Sequence, residues 1–237
     1  MIKYLHLLRL RAVFAALRKY TSGSVLDMGG RDFFSNIASD PSIHFENWTC
    51  LELDRSAVDI PDKRYKLVIG DGENAPFPDA TFETVINMQV LEHTMHPITM
   101  VKEVARVLKD KGFSIFLIPQ TSVAHEIPTH YYNFTRYWVR HAFKEAGLEI
   151  IELHPLGGRW STHASHMFFF FLEAFRVPGY SSTEYPRTFF FYLLFPIMAL
   201  YALLGICIGM IFSIGDLSED PNNLLVVARK SQVSGNF

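Results

Sequence analysis

VLDMGG (Val25 to Gly30) joins a short apolar run to an aspartate and then to two adjacent glycines. A β-like run that ends this way reads as a strand feeding a tight turn. Glycine reaches backbone angles closed to other residues and lets the turn bring its N–H groups against a ligand. Asp27 then faces that ligand. Two further acids repeat the pattern: Asp54 closes LELD after the run Trp48 to Leu53, and Asp71 follows the run Tyr65 to Gly70 with Gly72 beside it. In a doubly wound sheet the carboxyl ends of the strands border one crevice, so three acids in this order predict a nucleoside site. Asp54 lies at the usual distance from the glycine turn for an acceptor of ribose hydroxyls. Asp71 is placed to accept from an adenine amino group, with the Gly72 N–H unobstructed beside it.

Working outward, β and α patterns alternate from Ser24 to Leu153, which predicts a parallel sheet covered on both faces. The segment His96 to Lys111 reads as a helix whose apolar stripe is Met100, Val101, Val104, Ala105 and Leu108. Lys102, Glu103, Arg106 and Lys109 are expected to face water, and Gly112 to stop the helix before a strand Phe113 to Ile118. Thr135 is expected to cap a helix Arg136 to Ala146, and Gly147 to end it before a strand Leu148 to Leu153.

Taken in order, VLDMGG, LELD, GDGENAPFPDATFETV (Gly70 to Val85) and QVLEH (Gln89 to His93) resemble the class I S-adenosylmethionine-dependent methyltransferases, most closely their small-molecule branch. The likeness runs from about Val25 to Gly158 and resumes at Leu224 to Lys230; EVARVLKDKGFSIFLIP (Glu103 to Pro119) is similar to the family's helix and fifth strand. HEIPTHYYNFT (His125 to Thr135) resembles a loop of a subgroup associated with glycan biosynthesis. The resemblance implies a Rossmann-like, mostly parallel, seven-stranded sheet of order 3-2-1-4-5-7-6, the last strand returning antiparallel between strands five and six. It also implies S-adenosylmethionine as cofactor, bound through Asp27, Gly29, Gly30, Asp54, Asp71, Gly72 and Gln89. Four positions depart from the family pattern: Arg31 stands where many members carry a further glycine, Gln89 replaces Glu or Ser, His130 replaces Asp, and Asn133 replaces Arg.

Methyl transfer from a sulfonium needs an electron-rich atom held in line, and holding the reactants supplies much of the rate. A hydroxyl acceptor gains from a general base titrating near neutrality. His125 is the first candidate and His93 the second, with Glu126, His130 and Tyr132 expected to position substrate. Gln89 breaks the Glu/Glu/His/His pattern some family members use for a metal, so none is expected. A dehydrogenase fingerprint G-x-G-x-x-G fails at Arg31 and Phe34, and no G-x-S-x-G marks a hydrolase. The rival from another class is a methyltransferase-like protein that binds a nucleoside at the membrane without turnover.

The net charge of −2 over 237 residues offers no basic stripe for nucleic acid. Two cysteines, Cys50 and Cys207, suggest neither a disulfide framework nor a Cys-based metal site, and a reducing cytosol is the simplest compartment. Residues 1–20 read as an amphipathic helix: Leu5, Leu8, Val13 and Leu17 face one way and Lys3, Arg9, Arg18 and Lys19 add charge. It is expected to pack over the sheet or the cofactor mouth, contact with an anionic membrane being the alternative.

Residues 21–158 and 223–231 are assigned to the methyltransferase domain and 159–222 to a hydrophobic helical insertion before the last strand. Within it, Thr188 to Gly215 holds no charged residue and is long enough to cross a bilayer. A single crossing would strand the last sheet strand on the far side, and Pro196 predicts two shorter helices at an angle. The insertion is therefore expected to lie on or dip into the cytoplasmic face of a membrane, or to bury its apolar surface against the domain or a second copy. Its place in the chain would roof the substrate site, which suits a small hydroxylated, glycan or lipid-linked acceptor.

Overall fold

A computed structural model describes residues 2–54, 60–181 and 185–231; the side chains of residues 2–10, including Lys3, Leu5, Leu8 and Arg9 of the N-terminal face, lie outside that description. The chain divides into a sheet unit, Met1–Ile118 with Phe134–His154 and Leu224–Phe237, and a second unit, Pro119–Asn133 with Pro155–Asn223.

Seven strands make one sheet: β1 (Ser24–Met28), β2 (Asn47–Glu52), β3 (Tyr65–Ile69), β4 (Phe82–Met88), β5 (Leu108–Pro119), β6 (Leu148–Leu156) and β7 (Asn223–Lys230). Their order is β3-β2-β1-β4-β5-β7-β6, as expected. β1, β2 and β4 are buried along nearly their whole length, the pattern of parallel strands covered on both faces. The order reverses at β1, whose Asp27 stands opposite Cys50 of β2 and Ile86 of β4. A reversal of this kind opens a crevice at the strand carboxyl ends.

The helices α1 (Ile2–Tyr20), α2 (Phe33–Ile37), α3 (Pro97–Val107) and α4 (Arg136–Glu145) belong to the sheet unit. Val13, Ala16 and Leu17 of α1 are buried, and Arg18 pairs with Asp40 at 2.7 Å while Lys19 pairs with Glu152 at 2.7 Å. Packing over the sheet thus accounts for the described half of this helix. In α4 the Thr135 hydroxyl accepts from the Trp138 N–H at 3.3 Å, the expected cap, and Gly147 leaves the helix at φ +75°.

α3 corrects two expectations. It stops at Val107, because Leu108 turns extended (ψ 133°) and pairs with Phe82 at the start of β5. Gly112 lies inside that strand, where a Cβ would come within 2.8 Å of the Glu83 carbonyl oxygen, beside an irregularity in the β4–β5 register. Nor do Glu103 and Arg106 simply face water. Arg106 donates to Glu103, Asp79 and the carbonyls of Ala75 and Phe77 at 2.7–3.0 Å, and Glu103 accepts from the Ala75 N–H. One guanidinium therefore fixes the loop that follows β3.

The second unit holds α5 (Arg159–Ala174) and α6 (Phe189–Phe212), which pair as a hairpin. α6 corrects the expectation of two helices, since it runs unbroken through Pro196. Proline in a helix interior costs about 3 kcal/mol. Ring packing at the preceding position opposes that cost: Phe195 stacks on Phe170 at 6.2 Å and meets Phe175 at 5.9 Å. Farther along, Ala202, Gly205, Ile206 and Gly209 form the buried stripe of α6. A Cβ on Gly209 would lie 2.7 Å from the Trp160 carbonyl oxygen, so α5 and α6 approach as closely as backbones allow.

Candidate active site

Asp27 is fixed from both sides before any ligand is considered. The Trp48 ring packs edge-on against Phe34 at 5.7 Å and Phe45 at 5.3 Å, which aims its indole N–H at Asp27 Oδ2, 3.2 Å away. Gly30 presses on the same carboxylate: a Cβ there would sit 1.9 Å from Oδ2. Asp27 is buried, and its Oδ1 accepts no hydrogen bond from the described residues. Burial pushes its pKa up to about 8, partly offset by the Trp48 bond and reinforced by the charge of Glu52. A buried carboxyl with an open oxygen is a site made for a cationic or N–H-bearing ligand.

The glycine turn completes that side of the pocket. Gly29 has φ +72° and donates to the Leu51 carbonyl at 2.8 Å, and a Cβ on it would meet Val90 Cγ2 at 2.8 Å. The turns after β1 and β4 therefore touch. Arg31 takes φ +46°, the left-handed region usually left to glycine, and its N–H donates to Glu52 Oε1 at 2.5 Å.

Glu52 is the residue that the sequence reading passed over. It is the last residue of β2 and is buried beside the turn, whereas Asp54 lies beyond the strand and is exposed. Both share one strand parity, and LELD offers both acids. Only the strand's end point separates them. Asn87, near the end of β4, was also missed: it is fully buried, donates to Met100 Sδ at 3.4 Å and leaves Oδ1 without a partner among the described residues. Cys50 is buried next to Asp27, and burial lifts its thiol to about 12, which removes it as a nucleophile.

Asp71 caps the short 3-10 turn Gly72–Asn74, its Oδ1 accepting from the Glu73 N–H at 2.8 Å. A Cβ on Gly72 would lie 2.6 Å from Met100 Cε, the mobile end of a side chain that would have to shift to admit it. Gln89, at φ +59°, donates through both its backbone N–H and Nε2 to the Leu117 carbonyl. Its side chain serves the β4–β5 junction.

His93 ends the short 3-10 turn after β4 in the sheet unit, its Nε2 4.0 Å from Glu92 Oε1. His125, Glu126, His130 and Tyr132 belong to the second unit. There His125 and His130 come together, with 3.0 Å between their Nδ1 atoms, and His125 Nδ1 lies 3.1 Å from the Val123 carbonyl oxygen. Glu126 takes φ +50° and its carbonyl accepts from Thr129 N and Oγ1, closing the loop. Tyr132 is exposed and meets Tyr131 edge-on at 6.5 Å.

Residues 28–116, which carry the glycine turn, the β2 acid and the loop after β3, match the family described as a methyltransferase domain. That match covers 89 of the 237 residues, and the sequence is similar there to methyltransferase domains. Among relatives of this methyltransferase domain, phthiotriol/phenolphthiotriol dimycocerosates methyltransferase of Mycobacterium tuberculosis is 32% identical over 77 residues, 30% of this chain and 28% of that one. The 2-methyl-6-phytyl-1,4-hydroquinone methyltransferase 2 of Oryza sativa subsp. japonica is 26% identical over 151 residues, 57% of this chain and 42% of that one. The chain thus spans less than half the length of these curated relatives.

Among solved structures, an S-adenosylmethionine-dependent methyltransferase from Mesorhizobium loti aligns with TM-score 0.58 and 13% identity, covering 94% of this chain and 97% of that one. The cyclase SpnF aligns with TM-score 0.61 and 18% identity, covering 96% and 80%. These likenesses are of fold. A cyclase among them makes plain that the fold does not choose the reaction.

Proposed function

We propose that the chain transfers the methyl group of S-adenosylmethionine to the hydroxyl of a small, lipid-linked acceptor. The observation that carries the reading is Asp27, buried with Oδ1 open, beneath a turn that only glycine fits. S-adenosylmethionine supplies a methyl group on a positively charged sulfur, together with an ammonium, a ribose and an adenine. Asp27 Oδ1 is assigned to the ammonium end and Glu52 to the ribose hydroxyls, the Arg31 N–H holding the Glu52 carboxylate in place. Asp71 Oδ2 is assigned to the adenine amino group, since Oδ1 is used by the turn.

On the acceptor side His125 is the proposed base. With its Nδ1 proton shared between the Val123 carbonyl and His130, Nε2 is the basic nitrogen. Support for a lipid-linked acceptor comes from the names of the two relatives, which specify a dimycocerosate and a phytyl-hydroquinone, and from the exposed apolar length of α6.

The test is incubation of the full chain with methyl-labelled S-adenosylmethionine and separate lipid and aqueous cell extracts. Label is expected in the lipid fraction; tight donor binding without incorporation into any extract would favour the silent nucleoside-binding reading. Two substitutions separate the acids of β2. Glu52→Ala is expected to weaken donor binding by about 1.5–3 kcal/mol, the range for a lost hydrogen bond to a charged group, and Asp54→Ala by less than about 0.5 kcal/mol. Calorimetry checks both, and the reverse order would return the ribose to Asp54.

A further inference from the structure

The geometry points to α6 as a membrane-embedded helix: its outer face lies in the acyl-chain region of a bilayer, and both ends of the α5–α6 hairpin stay on the side from which it enters. The first ground is that α6 is apolar nearly all round. Phe189, Ile197, Leu200 and Tyr201 are between 60% and 74% exposed, and Leu203, Leu204, Ile208 and Ile211 are exposed beside them. Only the stripe Ala202, Gly205, Ile206 and Gly209, set against α5, is fully buried. A surface-lying amphipathic helix keeps a charged face for water, and α6 has none, since no charged residue occurs from Thr188 to Gly215. Helices that are hydrophobic on every side are found in protein cores or in lipid. This one is not in a core.

Length is the second ground. The 24 residues of α6 extend about 36 Å, enough to pass through or lie deep within a hydrocarbon layer of about 30 Å. Third, the hairpin is closed at one end by a polar clasp. Asp216 accepts from the N–H groups of Trp160 and Ser161 and from Ser161 Oγ, and the Arg159 N–H donates to the Leu217 carbonyl at 2.9 Å. The chain enters α5 from β6 and leaves α6 toward β7 at that clasp, so no strand is carried across a bilayer. The paradox of a helix long enough to span, followed by a strand that must rejoin the sheet, is resolved by the partner helix.

A cavity adds a fourth observation. About 420 Å³ between α5 and α6 is lined by Met167, Phe170, Ile197, Met198, Tyr201 and Ala202, with no polar surface exposed to it. Flexible methionines shape themselves to irregular apolar partners, and an acyl chain is such a partner.

The inference stands whether or not methyl transfer is the chain's reaction, and its test reads membrane partition alone. The full chain is mixed with vesicles of pure phosphatidylcholine and floated on a density gradient in about 1 M NaCl, where charge attraction is screened beyond about 3 Å. It is expected to float with the vesicles. The triple variant Ile197→Lys, Leu200→Lys, Leu204→Lys changes only exposed positions and is expected to lower the floated fraction at least about tenfold, with an unchanged circular-dichroism spectrum and cooperative thermal unfolding as proof of folding.

A second measurement needs no substitution. Cys207 is exposed on α6 and Cys50 is buried, so a thiol-reactive fluorophore labels α6 selectively. Quenching by nitroxides placed on acyl chains is the expected result. Quenching by aqueous iodide instead, or a vesicle-free homodimer that protects Cys207 and does not float, would overturn the proposal.

Discussion

Asp27→Asn is expected to make the ligand-free protein more stable and the donor complex much weaker. In the folded protein Asp27 has its pKa raised to about 8 by burial, against 3.8 for an ordinary aspartate. Between those values the unfolded chain releases this proton while the folded chain keeps it. Folding then takes up a proton, and the stability contributed by this residue falls steadily as pH rises from about 4 to about 8. Asparagine does not titrate, so the variant escapes the loss. Its advantage should be small near pH 5, grow to on the order of 1–3 kcal/mol at pH 8 and then level off.

Donor binding moves the other way. An ammonium left facing an amide in a buried pocket forfeits a charged pair, about 3 kcal/mol or roughly a hundredfold in Kd. Thermal unfolding of both proteins across pH, paired with calorimetric titration of S-adenosylmethionine, checks the two halves together. A stability gap that does not change with pH would remove the buried-acid assignment. Unchanged affinity would remove the ammonium assignment.

Gly30→Ala should be the most damaging single methyl in the sheet unit. Its Cβ would lie 1.9 Å from Asp27 Oδ2 and 2.1 Å from Cγ. The obstacle is not the loose end of a long side chain, because Asp27 is short, buried and held by Trp48. Overpacking in a well-filled interior costs about 1–3 kcal/mol, and an overlap this deep should reach about 3 kcal/mol or more and expel the carboxylate from the position proposed to bind the donor. Gly147→Ala is the matched control: Gly147 has φ +75° but nothing within 4 Å of its Cβ position. It should cost only the backbone strain of about 1–2 kcal/mol and leave donor affinity intact. Equal effects of the two substitutions on affinity would mean that Gly30 shapes no pocket.

Much of this fold could be read from the chain because its local signals agree. Period, caps and acids point the same way from Val25 to Gly147, and the sheet order followed once the last strand was placed by resemblance. The errors fell where a long-range partner overrides a local sign. Gly112 looks like a helix stop, yet Leu108 is claimed by Phe82 four residues earlier and the glycine is spent on a close approach to Glu83. Pro196 looks like a helix break, yet rings on α5 hold the helix through it.

The site shows the same division. The placement of Asp27, Gly29 and Gly30 was legible, a buried strand-end acid followed by a tight glycine turn. Glu52 was hidden because a period of two gives it and Asp54 the same face, and only the strand's end point tells them apart. Arg106 was read as solvated surface, because nothing local indicates that two carboxylates and two carbonyls will converge on it.

Arg31 carries one more lesson, about how such chains are recognised. Its φ of +46° reproduces with a long cationic side chain the bend that glycine usually makes, at a cost of about 1–2 kcal/mol. The Glu52 carboxylate holds the Arg31 amide in that bend, so the torsion angle is met without glycine. A search that filters on the third glycine would discard this chain, whereas one that filters on the curvature of the turn would retain it.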